Sequence, residues 1–469
     1  MKEFWRRYRR SPQGMIGLLI FLFFLFLAVF SFLLTSYHPL RDRYLADRMA
    51  RPVWMQIFPK YRDMPRTVDL MTTARDWEIS GEPGIEAFLI KHEEAGVITF
   101  LSAENGRGEE KKLLLEQAFL YEQTPPRTFV LTMQVKPELP ENLSGHLALD
   151  IINPAGEIFA LWSEEYTGAR ARRPVRIDSR DQALKRRLQL SPFAEVTEEI
   201  FTGTGEYKLR LTATFAGEED LLFPQNGRLE IENLNLRILG RLHGVLGVDH
   251  LGTDLWSQLV YGARISLMIG ILSAFIAVVI GTGVGILSGY TRGVVDEFLM
   301  RVADVMLSIP TLPILIILAG LLGKSVWNIV ILVAVFTWMG PARIVRSQTL
   351  SLKERSFVEV ARASGAGDIY IMLKHILPNV LPLVFASMVL LIPVAIIYEA
   401  TLSFLGLGDP MTATWGRMLH NARGFGAFTE LAWWWILPPG LSITFLSLSF
   451  VLIGNTVDDI LNPKHRERS

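Results

Sequence analysis

The chain has 469 residues, 47 Lys and Arg against 47 Asp and Glu, 50% hydrophobic residues and no cysteine. A net charge of zero supplies no field to draw nucleic acid or an acidic partner, and the lack of thiols excludes disulfides, thiolate metal sites and a cysteine nucleophile. Mean hydropathy is +0.29 despite 20% charged residues, because apolar runs fill both ends while the middle is polar.

The first apolar run, Gly17 to Leu34, follows the basic residues Lys2, Arg6, Arg7, Arg9 and Arg10. It is longer than a signal-peptide core, and no small-x-small cleavage site follows in TSYHPLRDRY, so a retained membrane anchor is expected.

Residues 40 to 240 then carry no long apolar run. Tyr207, Leu209, Leu211, Ala213 and Phe215 alternate with polar residues, the pattern of a half-buried strand. Leu229 and Ile231, then Leu234, Leu236 and Ile238, alternate with a slip of phase near Asn233, as a bulge would produce. Phe129–Val135, His146–Ile152 and Glu157–Trp162 also read as strands, the last two joined by the turn Asn153-Pro154-Ala155-Gly156. A β-sandwich is expected over 125–240, and residues 40–125 are too mixed to assign. His92, His146 and the acids of this segment show no spacing that fixes a metal or a catalytic set. It reads as a rigid module that packs on the membrane core or docks another protein.

Five further spans are expected at Ile265–Tyr290, Val302–Leu322, Val326–Pro341, Val380–Thr401 and Trp433–Val457. With the N-terminus inside, Arg292, Arg301, Arg343, Arg346, Lys353, Arg355, Arg362, Lys374, Lys464, Arg466 and Arg468 fall on inside loops, and only Lys324, Arg417 and Arg423 on short outside ones. This positive-inside bias predicts six spans, both termini cytoplasmic, and the long insert exported. Gly281, Gly285 and Gly289 repeat at four-residue spacing, which suits close helix packing in lipid. Arg301 and Asp304 suggest a structural ion pair. Glu399 lies near the outer end of the fifth span, either lining a path or pairing with another subunit, since a carboxylate at mid-depth costs about 2.5–3.5 kcal/mol.

Between the fourth and fifth spans lies a charged segment with its own helix signals. Arg355 to Gly365 forms helical turns with Ser356 as N-cap and Glu359 as its capping-box partner. Gly365 lets the chain turn sharply, Asp368 caps a second short helix over Ile369–Ile376, and Pro378 starts the next span. From the residues alone, this is either a cytoplasmic loop that takes a push from a partner or an amphipathic helix on lipid headgroups.

The segment Glu359-Val360-Ala361-Arg362-Ala363-Ser364-Gly365, followed by His375-Ile376-Leu377-Pro378, resembles the loop by which permease subunits of ABC importers engage their ATPases. From Gly244 to Asn462 the chain is similar to the second permease subunit of dipeptide/oligopeptide-type importers. The similarity rests on GVDHLGTDLWSQLVYGARISL, GILSGYTRGVVDEFLMRVADVMLSIPTLP, WMGPARIVRSQTLSLKERSFVEVARASGAGDIYIMLKHILPN and EATLSFLGLG, in that order. It implies a polytopic α-helical protein of the six-helix type I ABC permease fold, here with an inserted extracytoplasmic mainly-β domain. The expected divisions are 1–36 (cytoplasmic N-terminus and first span), 37–243 (insert, β-rich at 125–240) and 244–469 (core, with the coupling loop at 343–379).

The resemblance also implies a multi-pass protein of the cytoplasmic (inner) membrane that imports peptides or related small solutes. Its partners would be a second permease subunit in a heterodimer, two ATPases, an extracytoplasmic solute-binding protein and membrane lipid. ATP and Mg would sit on the ATPases, with no cofactor on this chain, which lacks a GxxxxGK[ST] loop. Phe357, Val360, Ala361 and Ala363 would pack in an ATPase groove while Glu359 and Arg362 pair at its rim. Two departures stand out: Val360 replaces the first Ala of the loop signature, and His375 stands where the general pattern has Ile. The insert is also longer than the family's usual first loop. Rival readings are a membrane-anchored receptor or sensor, which would need a cytoplasmic effector domain, and a secondary transporter, which would show inverted repeats and ionisable residues deep in several spans.

Overall fold

The computed structural model describes residues 2–62, 64–71, 77–81, 85–92, 95–102, 111–123, 125–140, 143–217 and 227–461. The backbone separates into two compact units, Met1–Arg43 with Val245–Ser469, and Tyr44–Gly244. The chain opens with α1 (Lys2–Tyr8), α2 (Pro12–Val29) and α3 (Ser31–Leu34). The apolar helix begins at Pro12, ahead of the expected Gly17, because the Ser11 side chain accepts from Gly14 N and a proline fills the first turn.

The Tyr44–Gly244 unit is built on antiparallel strands: β1 (Val68–Met71), β2 (Glu78–Gly81), β3 (Ile85–His92), β4 (Ala95–Ser102), β5 (Lys111–Tyr121), β6 (Thr128–Glu138), β7 (Leu143–Ile152), β8 (Ile158–Thr167) and β9 (Arg173–Asp178). Then come the short helices α4 (Gln182–Arg187) and α5 (Val196–Ile200), and finally β10 (Gly205–Gly217) and β11 (Arg228–Leu239). One sheet runs β3-β4-β11-β6-β9 with β1 also on β11; the other runs β2-β5-β10-β7-β8.

The alternation in β10 is realised in full, with Tyr207, Leu209, Leu211, Ala213 and Phe215 all buried. In β11 the register shifts between Glu232 and Asn235, and Asn233 takes a left-handed φ of 55°. That extra residue keeps Leu229, Ile231, Leu234, Leu236 and Ile238 on the core side. Rings from four elements close one end of the core: Phe201 lies 5.0 Å from Tyr207 and 5.2 Å from Tyr121, and Phe129 6.1 Å from Phe201.

The sandwich is larger than expected, since β1 to β5 come from the stretch left unassigned. In β5, Leu113, Leu115, Phe119 and Tyr121 are buried but Leu120 is exposed. Leu114 and Leu120 blur the period of two, so the strand is hidden until its neighbours β2 and β10 are in place.

The other unit continues with α6 (Leu255–Thr291), α7 (Gly293–Ser308), α8 (Thr311–Leu322), α9 (Val326–Val335), α10 (Met339–Lys353), α11 (Ser356–Ala363), α12 (Asp368–Ile371), a π-turn at Met372–Ile376, α13 (Leu377–Phe404), α14 (Trp415–Gly424) and α15 (Trp433–Leu461). Among the described residues, five helices are long and apolar enough to cross a membrane, or six if the bent pair of α7 and α8 is one span. That pair corrects the expected straight span Val302–Leu322, because the chain bends by 88° between the two helices. Ile309, preceding Pro310, is forced to an extended ψ of 128° and cannot continue the helix. The expected Val326–Pro341 span is likewise part of a longer helical stretch, Val326–Lys353.

Gly281, Gly285 and Gly289 face α10. A Cβ on them would come within 2.6 Å of the Trp338 carbonyl, 2.6 Å of the Ala342 carbonyl and 2.8 Å of the Arg346 carbonyl. Only glycine admits so close an approach. Asp304 pairs with Arg343 on α10 and not with Arg301 on its own helix. Asp296 makes a two-pronged bond with Arg346, 2.6 Å to each oxygen, so α7 is tied to α10 as well.

Candidate functional site

The segment from α10 to α13 folds as two short helices on a shared apolar floor. Ser356 is the first residue of α11 and not its cap: Arg355 occupies the capping position, without a side-chain bond, and the expected capping box with Glu359 is not formed. Glu359 adds an acidic charge to the first turn, where it favours the helix dipole. The helix is shorter than the expected Arg355–Gly365.

Its end is well defined. Gly365 adopts φ +84°, Gly365 N donates to Arg362 O at 3.0 Å, and Ala366 N donates to Ala361 O at 3.0 Å. These two reverse bonds are the Schellman closure, which requires a left-handed residue at the position glycine fills. Gly367, and not Asp368, is the N-cap of α12. The backbone then passes through the π-turn at Met372–Ile376 into α13, with Pro378 in its first turn. The 368–404 stretch therefore behaves as one long helix, a correction to the separate helix expected over Ile369–Ile376.

The floor is a buried cluster of Ile286 and Tyr290 from α6, Val345 from α10, Val358 from α11, Ile371 from α12, and Ile376 and Val380. Val358, which the sequence pattern did not single out, is the fully buried anchor of α11. Ala361 packs against this floor and does not point outward as expected. Phe357, Val360 and Ala363 do lie on the open side, with Val360 64% exposed. Ile369, Tyr370 and Leu373 are exposed as well; Ile369 and Leu373 line an apolar groove with Phe275 and Val279 of α6 and Leu381 of α13. His375 sits between the two patches, its ring 6.4 Å from Phe357 and 5.7 Å from Tyr370.

The expected rim pair of Glu359 with Arg362 is replaced by a different partner. Arg362 reaches the Tyr290 hydroxyl at 3.3 Å, and that hydroxyl donates to Asp368 Oδ1 at 2.6 Å. Lys353 donates to the Tyr290 carbonyl, and its ammonium lies 5.0 Å from the centre of the Tyr290 ring. Arg292 and Glu354 pair at 2.5 Å beside it. Sequence reading missed Tyr290. Its one signal was a phenol at the end of a glycine-spaced apolar helix, just before Thr291-Arg292-Gly293.

Glu399 lies far from this segment along α13. It is 1% exposed, and its Oε1 accepts the Ser403 hydroxyl at 2.8 Å. Oε2 is buried without a hydrogen bond among the described residues, with Thr414 beside the carboxylate. Glu399 is thus turned into its own unit, and neither the path-lining nor the subunit-pairing reading gains support from its position.

Two stretches match known families. Residues 281–467 match the binding-protein-dependent transport system inner membrane component, and residues 1–52 match the N-terminal transmembrane domain of oligopeptide transport permease C. The sandwich strands fall outside both. The oligopeptide transport system permease protein OppC of Haemophilus influenzae is 41% identical over 222 residues, 47% of this chain and 70% of that protein. The glutathione transport system permease protein GsiD of Pectobacterium atrosepticum is 39% identical over 220 residues, 47% and 72% respectively. Among solved structures, an inward-facing MetNI methionine ABC transporter chain covers 44% of this chain and 95% of its own at 21% identity, with a TM-score of 0.35.

Proposed function

This chain belongs to the oligopeptide-type inner-membrane permeases of binding-protein-dependent ABC transport systems, and from that premise we propose that residues 356–378 convert ATPase movement into opening and closing of a solute path. The observation that carries this reading is the two-sidedness of α11. One face is fixed by Val358 and Ala361 on a floor shared by four helices, while Phe357 and Val360 stand exposed on the other. An exposed apolar patch on a rigid support suits a partner's groove. Ser356, Glu359, Arg362, Gly365, Asp368, His375 and Pro378 shape and hold that surface.

ATP and Mg act on two partner ATPases, and a second permease subunit completes the path. Moving a two-state transporter from 1:99 to 99:1 takes about 5.5 kcal/mol of differential binding, which the ATPases supply and α11 transmits. The oligopeptide and glutathione permeases among its relatives support a peptide-sized solute. Val360→Glu and Phe357→Ala test the assignment. Each is expected to weaken co-purification of the ATPase subunits by roughly tenfold while membrane insertion is unchanged. Unaltered ATPase association in both would sink it and leave the lipid-headgroup reading in its place.

The distribution of Lys and Arg supports cytoplasmic termini, with Tyr44–Gly244 on the opposite side. There it would dock the solute-binding protein or brace the outer face, and its removal should lower the affinity of that protein for the complex. The chain has no cysteine, so Ala155→Cys in the exposed turn before β8 gives a single label. An impermeant maleimide should reach it in intact cells; labelling only after lysis would overturn the placement.

A further inference from the structure

A push on the exposed face of α11 meets a mechanical problem. The helix runs only from Ser356 to Ala363, its one fully buried side chain is Val358, and loops flank it on both sides. Resting on the narrow line of Val358 and the half-buried Ala361, a helix pressed on Phe357 and Val360 would roll unless a further contact tied it. One residue stands in the way of that roll. Tyr290, 4% exposed in the last turn of α6, contacts three successive pieces of the segment: Lys353 at the end of α10, Arg362 in the last turn of α11 and Asp368 at the start of α12.

Each contact uses a different part of the tyrosine. The hydroxyl donates to Asp368 and accepts from Arg362. The ring faces the Lys353 ammonium at 5.0 Å and the Arg362 guanidinium at 5.9 Å, within the range of cation–π attraction. The main-chain carbonyl, one of those a helix end leaves unpaired, accepts the Lys353 ammonium. Just beyond, Arg292 and Gly293 take left-handed φ of 58° and 63° and turn the chain sharply into α7. The tyrosine therefore sits where α6 ends in a fixed geometry. The Gly281, Gly285 and Gly289 face of α6, in turn, leaves no slack against α10.

We propose that Tyr290 is a positioning residue for energy coupling: it locks α11 and α12 to the end of α6, so that displacement of the exposed face moves α6 and α10 as one body instead of rolling α11. The inference deepens the coupling assignment above and rests on it. Tyr290 acts through Lys353, Arg362 and Asp368, so its signature is the yield of transport per ATP.

The test uses the full complex in proteoliposomes with its binding protein, measuring solute uptake and ATP hydrolysis together. Tyr290→Phe keeps the ring and removes the hydroxyl. Solute moved per ATP is expected to fall roughly three- to tenfold, with ATP hydrolysis within about twofold of wild type. A merely structural role would reduce the amount of assembled complex and leave that ratio alone. Asp368→Asn retains an acceptor oxygen and should keep the ratio near wild type. Asp368→Leu should match Tyr290→Phe, and the double variant should fall no further.

An unchanged ratio in Tyr290→Phe and Asp368→Leu overturns the proposal, as does a fully additive double variant. The two layers fail separately. If Val360→Glu abolishes ATPase binding while Tyr290→Phe leaves the ratio intact, only the lock is wrong. If Val360→Glu and Phe357→Ala both leave ATPase binding intact, the coupling assignment itself is wrong.

Discussion

The two units of this chain differ in how many large apolar side chains they leave on the outside. In the sandwich, Phe129, Leu131, Leu147, Leu211, Ile231 and Leu236 are all 0% exposed. In the helical unit, Leu19 is 70% exposed, Phe275 54% and Leu381 49%. Water drives the first arrangement, since each buried apolar side chain contributes about 1.5–3 kcal/mol there. Hydrocarbon permits the second, because a helix satisfies its own backbone and lipid is as apolar as leucine. The helical unit buries apolar clusters between its helices too, and adds close backbone approach at glycine and the partly buried Asp296–Arg346 ion pair.

The contrast is broken most directly by one substitution made twice. Leu211→Ala in β10 should cost about 2–5 kcal/mol, because the residue is wholly enclosed by both sheets. Leu381→Ala on the outer side of α13 should cost under about 0.5 kcal/mol by the same logic. Thermal unfolding of the purified protein in lipid measures both. Equal losses would show that the exposed helical face is covered by protein and not by lipid.

A second pair sharpens what holds the helices. Gly285→Val places a methyl-bearing carbon 2.6 Å from the Ala342 carbonyl and should cost about 1–3 kcal/mol. A Cβ on Gly283, two residues away, meets nothing within 4 Å. Gly283→Val should therefore be nearly neutral, and similar Tm losses in the two variants would refute packing through a glycine face.

The smallest effect concerns an ion pair of the sandwich. Burial pushes the Asp178 carboxyl up, but the Arg180 hydrogen bonds and the Arg180 and Arg176 charges outweigh it and hold the group below the usual carboxylate range. The contribution is therefore present above the unfolded value of about 4 and is lost as pH falls through the lower folded value. Asp178→Asn should cost roughly 1 kcal/mol at neutral pH. The Tm gap between variant and wild type should shrink as pH falls below the ordinary carboxylate range; a gap that stays constant with pH would contradict the assignment. Asp47 and Asp150, whose carboxyls are raised chiefly by burial, work in the opposite sense and are left untouched by this comparison.

How much of this was legible beforehand varied with the range of the signal. The bulge at Asn233 could be read from the slip between Ile231 and Leu234, because a period of two admits no other way to keep both on one face. The glycine turn at 365 was equally legible, since a glycine just past a run of helix-forming residues is the usual left-handed closure. The cap of α11 was not. Ser356 has the right chemistry, yet the chain enters the helix one residue earlier, where Arg355 takes the extended backbone. In β5 the leucine run carries no clean period, and its pairing with β2 and β10 is what makes it a strand.

The sequence by itself determined the approximate places of the apolar spans, the alternating strands β10 and β11, the family, and the place of the α11 segment between membrane helices. Those properties depend on neighbours along the chain, whose spacing is set by helix and strand geometry. Tertiary structure alone decided that Ala361 turns inward, that α7 and α8 meet at 88°, that Asp304 chooses Arg343, and that Arg362 and Asp368 share Tyr290. A charge or a hydroxyl selects its partner by distance in space, and residues 290 and 368 become neighbours only once α6 and α12 lie on the same apolar floor.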